Sequence, residues 1–333
     1  MFPPDLERAI YGIVTTPVLQ LADQYGIVTF LAKNGPLSSA AVAAETGLDA
    51  DTLDRLLVVL VAFGVVGIDA EGNYLVPPET APFFDRQDPR YIGGFVEHLL
   101  HGTARRQELI EQYLLRGKTA VDADLPAPYD FFYRDEESTS EFMDAMWNLS
   151  HAVSQELVEL ADLPATGTLV DVGGANGPFA VAALHARPEL RGIVFDLPPV
   201  RPHLERSARR AGLADRLGFV AGDFFADELP AGDVLALGYV MSNWPDPECI
   251  EVLRNAHRAC RPGGRVLVME RLFDDDRSGP VATAVMNLVM QVETRGRHRT
   301  VAEYFQMLGA AGFTNCQVRR SNRDKHLLIG YKA

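Results

Sequence analysis

The sequence predicts an α/β protein, in which a C-terminal doubly wound sheet of about seven strands follows a mostly helical, winged-helix-like N-terminal domain. Three observations support this fold class. Helical segments and a hairpin fill the first part of the chain, strand-like and helix-like segments alternate from residue 167 onward, and a glycine turn at 173–177 follows the first strand. Ligands of doubly wound sheets bind beyond the carboxyl ends of the strands, so the functional site is expected at that edge.

The N-terminal domain has the order helix, helix, helix, hairpin, which is typical of a winged helix. Its hairpin strands are predicted at Val65–Ile68 and Tyr74–Val76, around a polar turn. The helix that would enter a DNA groove carries Asp49, Asp51 and Asp54, whose carboxylates would repel phosphates. We therefore predict a dimerisation or packing module that does not bind nucleic acid.

A second helical region follows, with helices predicted at Tyr91–Tyr113 and Ser138–Leu163 and a loop at Leu125–Tyr129 between them. His98 and His101 are three residues apart on the first of these helices, so they would share one face. We divide the chain into a winged-helix-like dimerisation domain, a helical linker that carries pocket residues, and a sheet domain, which span residues 1–95, 96–165 and 166–333.

The sheet domain is predicted from apolar, β-branched runs that alternate with helical segments. The strands are expected at residues 168–172, 192–195, 217–221, 233–241, 265–270, 314–320 and 326–331. The helices between them are expected at residues 178–185, 199–211, 247–260 and 301–311. Pro178 fits the first position of its helix, where a missing backbone N–H costs nothing.

Composition and charge exclude several classes of protein. The chain has 333 residues and a formal net charge of −14, so a general affinity for nucleic acid or anionic membranes is not expected. Its three cysteines form no CxxC pair, so neither a disulfide framework nor a metal site is predicted. The sequence shows no signal peptide and no apolar run of about 20 residues. We predict a cytoplasmic protein without a membrane partner.

The glycine turn at 173–177 is the first sign of a ligand, because glycines let a ligand approach the backbone closely. The dinucleotide fingerprint GxGxxG, read from Gly173, requires glycine at 175 and glycine or alanine at 178. This chain has Ala175 and Pro178 at those positions, so NAD and FAD are disfavoured.

Two further strand ends favour a different nucleoside. Asp196 ends the second strand 19 residues after Gly177, where an acid is placed to accept bonds from ribose hydroxyls. Asp223 and Phe224 follow the third strand, where a carboxylate could accept from an exocyclic amine and a ring could pack on a flat base. Because these residues follow successive strands in order, we predict a nucleoside cofactor.

The motifs at residues 171–177, 195–198, 222–225, 243–246 and 261–264 resemble those of class I S-adenosylmethionine-dependent methyltransferases. Nearly the whole chain is similar to the small-molecule O-methyltransferases of plant phenolic and bacterial polyketide and antibiotic pathways. The resemblance implies S-adenosylmethionine on a Rossmann-like sheet, a small-molecule acceptor between the domains, and a homodimer with intertwined N-terminal helices. It also implies a set of cofactor-binding residues in this sequence: Met146, Ser150, Gly173, Asp196, Asp223 and Phe224.

The catalytic positions depart from the family pattern. The resemblance places Ser242 where the family has a histidine general base, and its two supporting acids correspond to Glu270 and His298. A serine cannot deprotonate a phenol. Three hypotheses remain open: methylation by proximity and orientation alone, proton abstraction by His298, or non-methylating chemistry such as hydroxylation, cyclisation or a pericyclic reaction.

The acceptor pocket is predicted from the same resemblance. Met286, Asn287 and Met290 share a helical face that lines the acceptor pocket in the family, and such side chains suit a flat, partly polar molecule. The further pocket candidates are His98, Trp147, Asn243 and Arg295. The sequence therefore predicts O-methylation of a small aromatic or polyketide-type metabolite.

Overall fold

The computed structural model describes residues 2–88, 90–122 and 132–333, so the loop predicted at Leu125–Tyr129 lies outside the described residues. The chain forms two compact units, Met1–Thr103 and Ala104–Ala333. Within the described ranges, no helix has both the length and the apolar character that are needed to cross a membrane.

The N-terminal unit has helices followed by a hairpin, as predicted, but four helices rather than three precede the hairpin and a fifth follows it. Its helices are α1 (Pro4–Gln24), α2 (Ile27–Asn34), α3 (Ser39–Thr46), α4 (Ala50–Ala62) and α5 (Gly93–Leu100), and its antiparallel hairpin pairs β1 (Gly67–Ile68) with β2 (Tyr74–Leu75). The side chains of Ser38 and Asp49 cap α3 and α4 by accepting backbone N–H bonds. Ile27, Leu31 and Leu57 are fully buried in its core.

One predicted helix is wrong in its extent. The chain does not form a single helix over Tyr91–Tyr113, because α5 ends at Leu100 and the next helix begins at Thr103. Gly102 has φ +72°, a left-handed conformation that glycine adopts readily and that interrupts the helix. His101 has an extended backbone, so His98 and His101 do not share a helix face.

The C-terminal part of the chain alternates strands and helices. The helices are α6 (Thr103–Arg116), α7 (Lys118–Asp122), α8 (Glu136–Leu160), α9 (Pro178–Ala186), α10 (Arg201–Arg210), α11 (Asp246–Ala259), α12 (Val281–Glu293) and α13 (Val301–Ala310). The strands are β3 (Thr166–Val172), β4 (Glu189–Asp196), β5 (Leu217–Ala221), β6 (Gly232–Gly238), β7 (Cys260–Glu270), β8 (Leu272–Phe273), β9 (Arg299–Thr300), β10 (Thr314–Arg319) and β11 (His326–Tyr331).

The main sheet has seven strands in the order β10-β11-β7-β6-β3-β4-β5, which confirms the predicted fold class. Strands β7, β6, β3, β4 and β5 are parallel to one another, and β11 is antiparallel to both β7 and β10. Leu169 belongs to one core cluster and Val170 and Val172 to another, so both faces of β3 are buried. The order of the strands reverses between β3 and β6, and such a switch point is where open α/β sheets bind ligands.

The end of β6 differs from the sequence prediction in a way that matters for the site. The strand predicted to reach residue 241 ends at Gly238, and Tyr239 adopts a left-handed backbone with φ +56°. A short 3₁₀ turn then spans Met241–Asn243. Ser242 therefore lies on a turn that follows the strand end.

Candidate active site

A cavity of about 280 Å³ lies at the carboxyl ends of the parallel strands. Residues that follow β3, β4, β5 and β6 line it, together with one side of α8. All six residues predicted to bind the cofactor line this cavity: Met146, Ser150, Gly173, Asp196, Asp223 and Phe224. Asn243, from the predicted acceptor set, also lines it.

The glycine turn forms one wall of the cavity. Gly173 has φ +65°, and a Cβ at this position would lie 2.9 Å from Cγ2 of Val240, so only glycine fits without a shift. Ala175 also has a positive φ, +51°, and its N–H donates a 2.8 Å hydrogen bond to Oδ2 of Asp196. The carboxylate of β4 thereby holds the turn in place.

Asp196 keeps accepting capacity for a ligand. Its Oδ1 accepts a 2.7 Å bond from the N–H of Leu197, so each carboxylate oxygen has one backbone donor and one further lone pair. Burial raises the pKa of Asp196 to about 6, against the lowering effect of these two donors. A hydroxyl that donates to Asp196 would favour its charged form.

Aromatic side chains line another part of the cavity, and Phe224 lies beside Gly173 of the turn. Phe225 makes edge contacts with Phe224 and Trp244, each at a ring-centroid distance of 4.8 Å. The carbonyl of Phe224 accepts a 2.9 Å bond from Asn255, and Oδ1 of Asp223 accepts one of 2.9 Å from the N–H of Phe225. A buried carboxylate, a wall of aromatic rings and a glycine turn that a Cβ would obstruct together fit a nucleoside cofactor.

Ser242 is buried behind the cavity, with 2% of its surface exposed, and it does not line the cavity. Its N–H donates a 3.1 Å bond to Oε1 of Glu270 at the end of β7. Burial raises the pKa of Glu270, while hydrogen bonds from Ser242 and the charge of Lys325 oppose that rise. Oε2 of Glu270 is buried and has no hydrogen-bond partner among the described residues.

His298 is also buried and does not line the cavity. Neither ring nitrogen has a hydrogen-bond partner within the described part of the chain, and its backbone N–H donates to Oδ1 of Asn287 at 2.7 Å. Burial, with a smaller effect of Arg271 and Arg299, lowers the pKa of His298 to about 4. The ring is therefore neutral at pH 7 and a weak base.

The segment at residues 296–299 holds the turn that carries Ser242. Gly296 packs so closely on the backbone of Ser242 and Asn243 that a Cβ would not fit. Arg299 is completely buried, and its guanidinium donates to the carbonyls of Met241 at 2.9 Å and Trp244 at 2.7 Å. Sequence reasoning did not identify Arg299 as the residue that fixes this turn.

The other predicted acceptor residues are not part of the cavity. Met286, Asn287 and Met290 are half-buried on α12. The side chain of Arg295 pairs with Glu248 at 2.7 Å and lies over the ring of Trp244 at 5.1 Å. Trp147 stacks on His151, and His98 lies on α5 of the N-terminal unit.

Sequence reasoning missed four polar residues that line the cavity: Tyr133, Asp171, Tyr239 and Lys325. Asp171 was read only as part of a strand motif, and burial raises its pKa to about 7. Lys325 is 2% exposed although it follows a polar loop, and no periodicity in the sequence indicates its burial. The described residues contain no group of three or more His, Cys, Asp and Glu side chains placed to hold a metal ion.

Sequence models of two known domains match the chain. The O-methyltransferase domain matches residues 118–314, which is more than half of the chain, and the O-methyltransferase dimerisation domain matches residues 8–76. The chain belongs to the O-methyltransferase family. It is an S-adenosylmethionine-dependent methyltransferase, so the predicted family, cofactor and class of enzyme are confirmed.

Relatives of this O-methyltransferase align along its length. It is 33% identical to the acetylserotonin O-methyltransferase of Bos taurus, over 98% of this chain and 97% of that one. It is 30% identical to the tetracenomycin polyketide synthesis 8-O-methyl transferase TcmO of Streptomyces glaucescens, over 98% and 95%. The crystal structure of human N-acetylserotonin methyltransferase in complex with SAM superposes with a TM-score of 0.85, at 26% identity over 98% and 96% of the two chains.

Proposed function

We propose that this O-methyltransferase methylates a hydroxyl oxygen of a small aromatic, polyketide-type acceptor, and that the acceptor reacts as its anion without a general base at position 242. The burial of Ser242 where the family resemblance places a histidine base carries the proposal. None of the described residues that line the cavity is a histidine. Relatives named for acetylserotonin and for tetracenomycin polyketide synthesis support a small-molecule acceptor.

The residues around the cavity have complementary roles in holding the cofactor. When bound, S-adenosylmethionine supplies an electrophilic methyl group. Asp196 accepts from the ribose hydroxyls through its remaining lone pairs, and Gly173 lets the ligand lie against the turn. Asp223 and Phe224 hold the adenine, with the ring of Phe224 supported by Phe225. Met146 and Ser150 close the cavity from α8.

Orientation alone is sufficient for an acceptor that is already ionised. An acidic phenol or enol loses its proton to solvent at neutral pH, so the protein has only to place the oxygen anion in line with the methyl group. His298 is a poor alternative as the base, because its pKa of about 4 is far below that of a phenol. The carboxyl of Glu270 accepts a hydrogen bond from the N–H of Ser242 in the turn, so we assign it a positioning role.

Asn243 is the polar group best placed to contact the acceptor, since it lines the cavity at the end of the 3₁₀ turn. Its Nδ2 donates to the carbonyl of Tyr239 at 2.8 Å, which fixes the amide plane. The apolar side chains of Phe142 and Met146 line the same cavity and suit a flat aromatic molecule. We extend the acceptor site to the remaining candidates on the strength of the family resemblance: His98, Trp147, Met286, Asn287, Met290 and Arg295.

The proposed enzyme acts as a homodimer through its dimerisation domain. Helix α1 exposes apolar side chains that water disfavours, including Tyr11, Ile13 and Val14, of which Ile13 is 80% exposed. A second copy of the same helix would cover them. Light scattering on the purified protein is expected to give the mass of two chains, and Ile13→Glu is expected to shift it towards one.

The function is tested by incubation with methyl-labelled S-adenosylmethionine and a panel of acidic phenols and enols. We expect a product heavier by one methyl group, with one molecule of S-adenosylhomocysteine released per product. An acceptor that is converted without release of S-adenosylhomocysteine would instead favour the non-methylating alternative, namely hydroxylation, cyclisation or a pericyclic reaction.

A further inference from the structure

Lys325 is a buried cation to which neither the sequence motifs nor the family resemblance assigns a role. It directly precedes β11, lines the cavity and is 2% exposed. Its Nζ donates a 3.3 Å hydrogen bond to Oγ of Ser150 and lies 3.9 Å from the centroid of the Tyr239 ring. The position of the ammonium is therefore defined by α8 and by the end of β6.

The backbone of β6 makes room for this ammonium. A Cβ at Gly238 would lie 3.1 Å from Nζ of Lys325, which is tighter than most Cβ contacts, and at an ordinary contact distance of 3.7 Å from its Cε. The ammonium of Lys325 thus lies directly against the backbone of Gly238 at the end of β6.

The ammonium of Lys325 has unused hydrogen-bonding capacity. It has three N–H donors, and one is used by Ser150. Within the described residues Lys325 forms no ion pair with a carboxylate within 4.0 Å. More distant charges act on it: Asp171, Glu270 and Asp324 attract it, and Arg271 repels it. Burial of an ammonium is costly without a close anionic partner, so the site favours an anion in the cavity.

Asp171 supplies the opposite charge in the same cavity. It lies at the end of β3, is 2% exposed and lines the cavity beside the glycine turn. A cavity with one buried ammonium and one buried carboxyl complements a zwitterion. The amino-acid end of S-adenosylmethionine is a zwitterion of this kind, and its α-carboxylate is the only anionic group of the molecule.

We propose that Lys325 binds the α-carboxylate of the methionine moiety of the cofactor, through its remaining N–H donors. This proposal rests on the proposed placement of S-adenosylmethionine in the cavity. Lys325 then selects nucleosides that carry an amino-acid end over nucleosides that lack one. It acts as a cofactor-binding residue and takes no part in moving a proton.

Calorimetry with two ligands tests this role. S-adenosylhomocysteine carries the α-carboxylate, and 5′-methylthioadenosine has the same nucleoside without the amino-acid end. We expect Lys325→Met to weaken the binding of S-adenosylhomocysteine roughly 10- to 100-fold, because a charge-assisted hydrogen bond is lost. The affinity for 5′-methylthioadenosine should change by less than about threefold, since that ligand has no carboxylate to pair.

Lys332→Met is the matched control. Lys332 follows the other end of β11 and donates to the carbonyls of His257 and Cys260, outside the cavity. This variant is expected to keep the wild-type ratio of the two affinities. Lys325→Gln serves as a second variant if Lys325→Met does not fold, and it should show the same selective loss.

Two results would overturn the proposal. One is a Lys325 variant that weakens both ligands equally or neither of them. The other is a wild-type protein that binds both ligands equally well, a measurement that needs no variant. A wild-type protein that binds neither ligand contradicts the proposed cofactor site itself, so the two failures are distinguishable.

Discussion

The N–H of Ser242 donates a 3.1 Å hydrogen bond to Oε1 of Glu270, and both residues are buried. In the family that the sequence resembles, an acid at the position of Glu270 supports a histidine base. Here the same carboxyl holds the backbone of a turn, and its Oε2 has no hydrogen-bond partner among the described residues. On the proposed correspondence with the family pattern, the supporting acid is retained although the residue that it would support is a serine.

Substitutions of Ser242 test whether the enzyme lacks a general base at this position or whether the Ser242 hydroxyl takes part in the reaction. Ser242→Ala is expected to leave kcat within about threefold, because a serine hydroxyl does not act as a base for a phenol. Ser242→His places an imidazole beside the carboxyl of Glu270, as the family resemblance implies for the histidine, and should raise kcat for weakly acidic phenols, by about 100-fold for a well-placed base. Steady-state kinetics measure both, with melting curves to confirm folding. A loss of 100-fold or more in Ser242→Ala would show that the hydroxyl takes part in the reaction.

Removal of the Asp196 carboxylate should weaken cofactor binding. Asp196→Ala deprives the ribose of its acceptor and also releases the N–H of Ala175 from its 2.8 Å bond. We expect the affinity for S-adenosylhomocysteine, measured by calorimetry, to fall by 10-fold or more. The exposed Asp215, changed to alanine, is the control and should bind as the wild type does. Unchanged binding by Asp196→Ala would contradict the assigned role.

The buried His298 should make the protein less stable in acid. Its pKa is lowered to about 4 in the folded state, so between pH 6.5 and pH 4 the unfolded chain binds a proton that the folded chain does not. The stabilising contribution of the neutral ring is complete above pH 6.5 and is lost as the pH falls towards 4. His298→Gln does not titrate, so its stability should decline less steeply with falling pH, by up to about 1.4 kcal/mol per pH unit.

Denaturant unfolding at a series of pH values measures this difference in slope. Curves that run parallel for the wild type and His298→Gln would show that His298 is not held neutral by its surroundings.

Arg299 should be the residue on which the Ser242 turn depends most. Its completely buried guanidinium donates to the carbonyls of Met241 and Trp244, and it also pairs with Asp246 at 2.7 Å. Arg299→Met leaves two buried carbonyls without donors and should lower the free energy of unfolding by about 2–5 kcal/mol, since each such group costs about 1–3 kcal/mol. Arg277→Met, at an exposed pair with Glu303, should cost less than about 1 kcal/mol. If Arg299→Met lowers the free energy of unfolding by less than about 1 kcal/mol, the turn does not depend on Arg299.

The sequence predicts those features that depend on local patterns. The parallel strands follow from apolar runs that alternate with helices, and the turn at 173–177 follows from its glycines. Asp196, Asp223 and Phe224 could be identified because each directly follows a strand of the sheet, and strand ends meet at one edge.

Features that depend on contacts between distant parts of the chain cannot be predicted from local sequence patterns. Lys325 is buried against Ser150, which is 175 residues away, and beside Gly238. The role of Arg299 depends on carbonyls 58 and 55 residues earlier in the chain. The break at residues 101–102 is not predicted because a single glycine is tolerated in many helices, whereas here His101 is extended and Gly102 has a positive φ.

The pH dependence of methyl transfer, measured for a series of phenolic acceptors of graded acidity, tests the absence of an enzyme base most directly. If each acceptor reacts as an anion formed in solvent, the midpoint of its pH–rate profile should follow the pKa of that phenol through the whole series. One midpoint shared by all acceptors, and shifted only by substitution of an enzyme residue, would contradict the proposed mechanism.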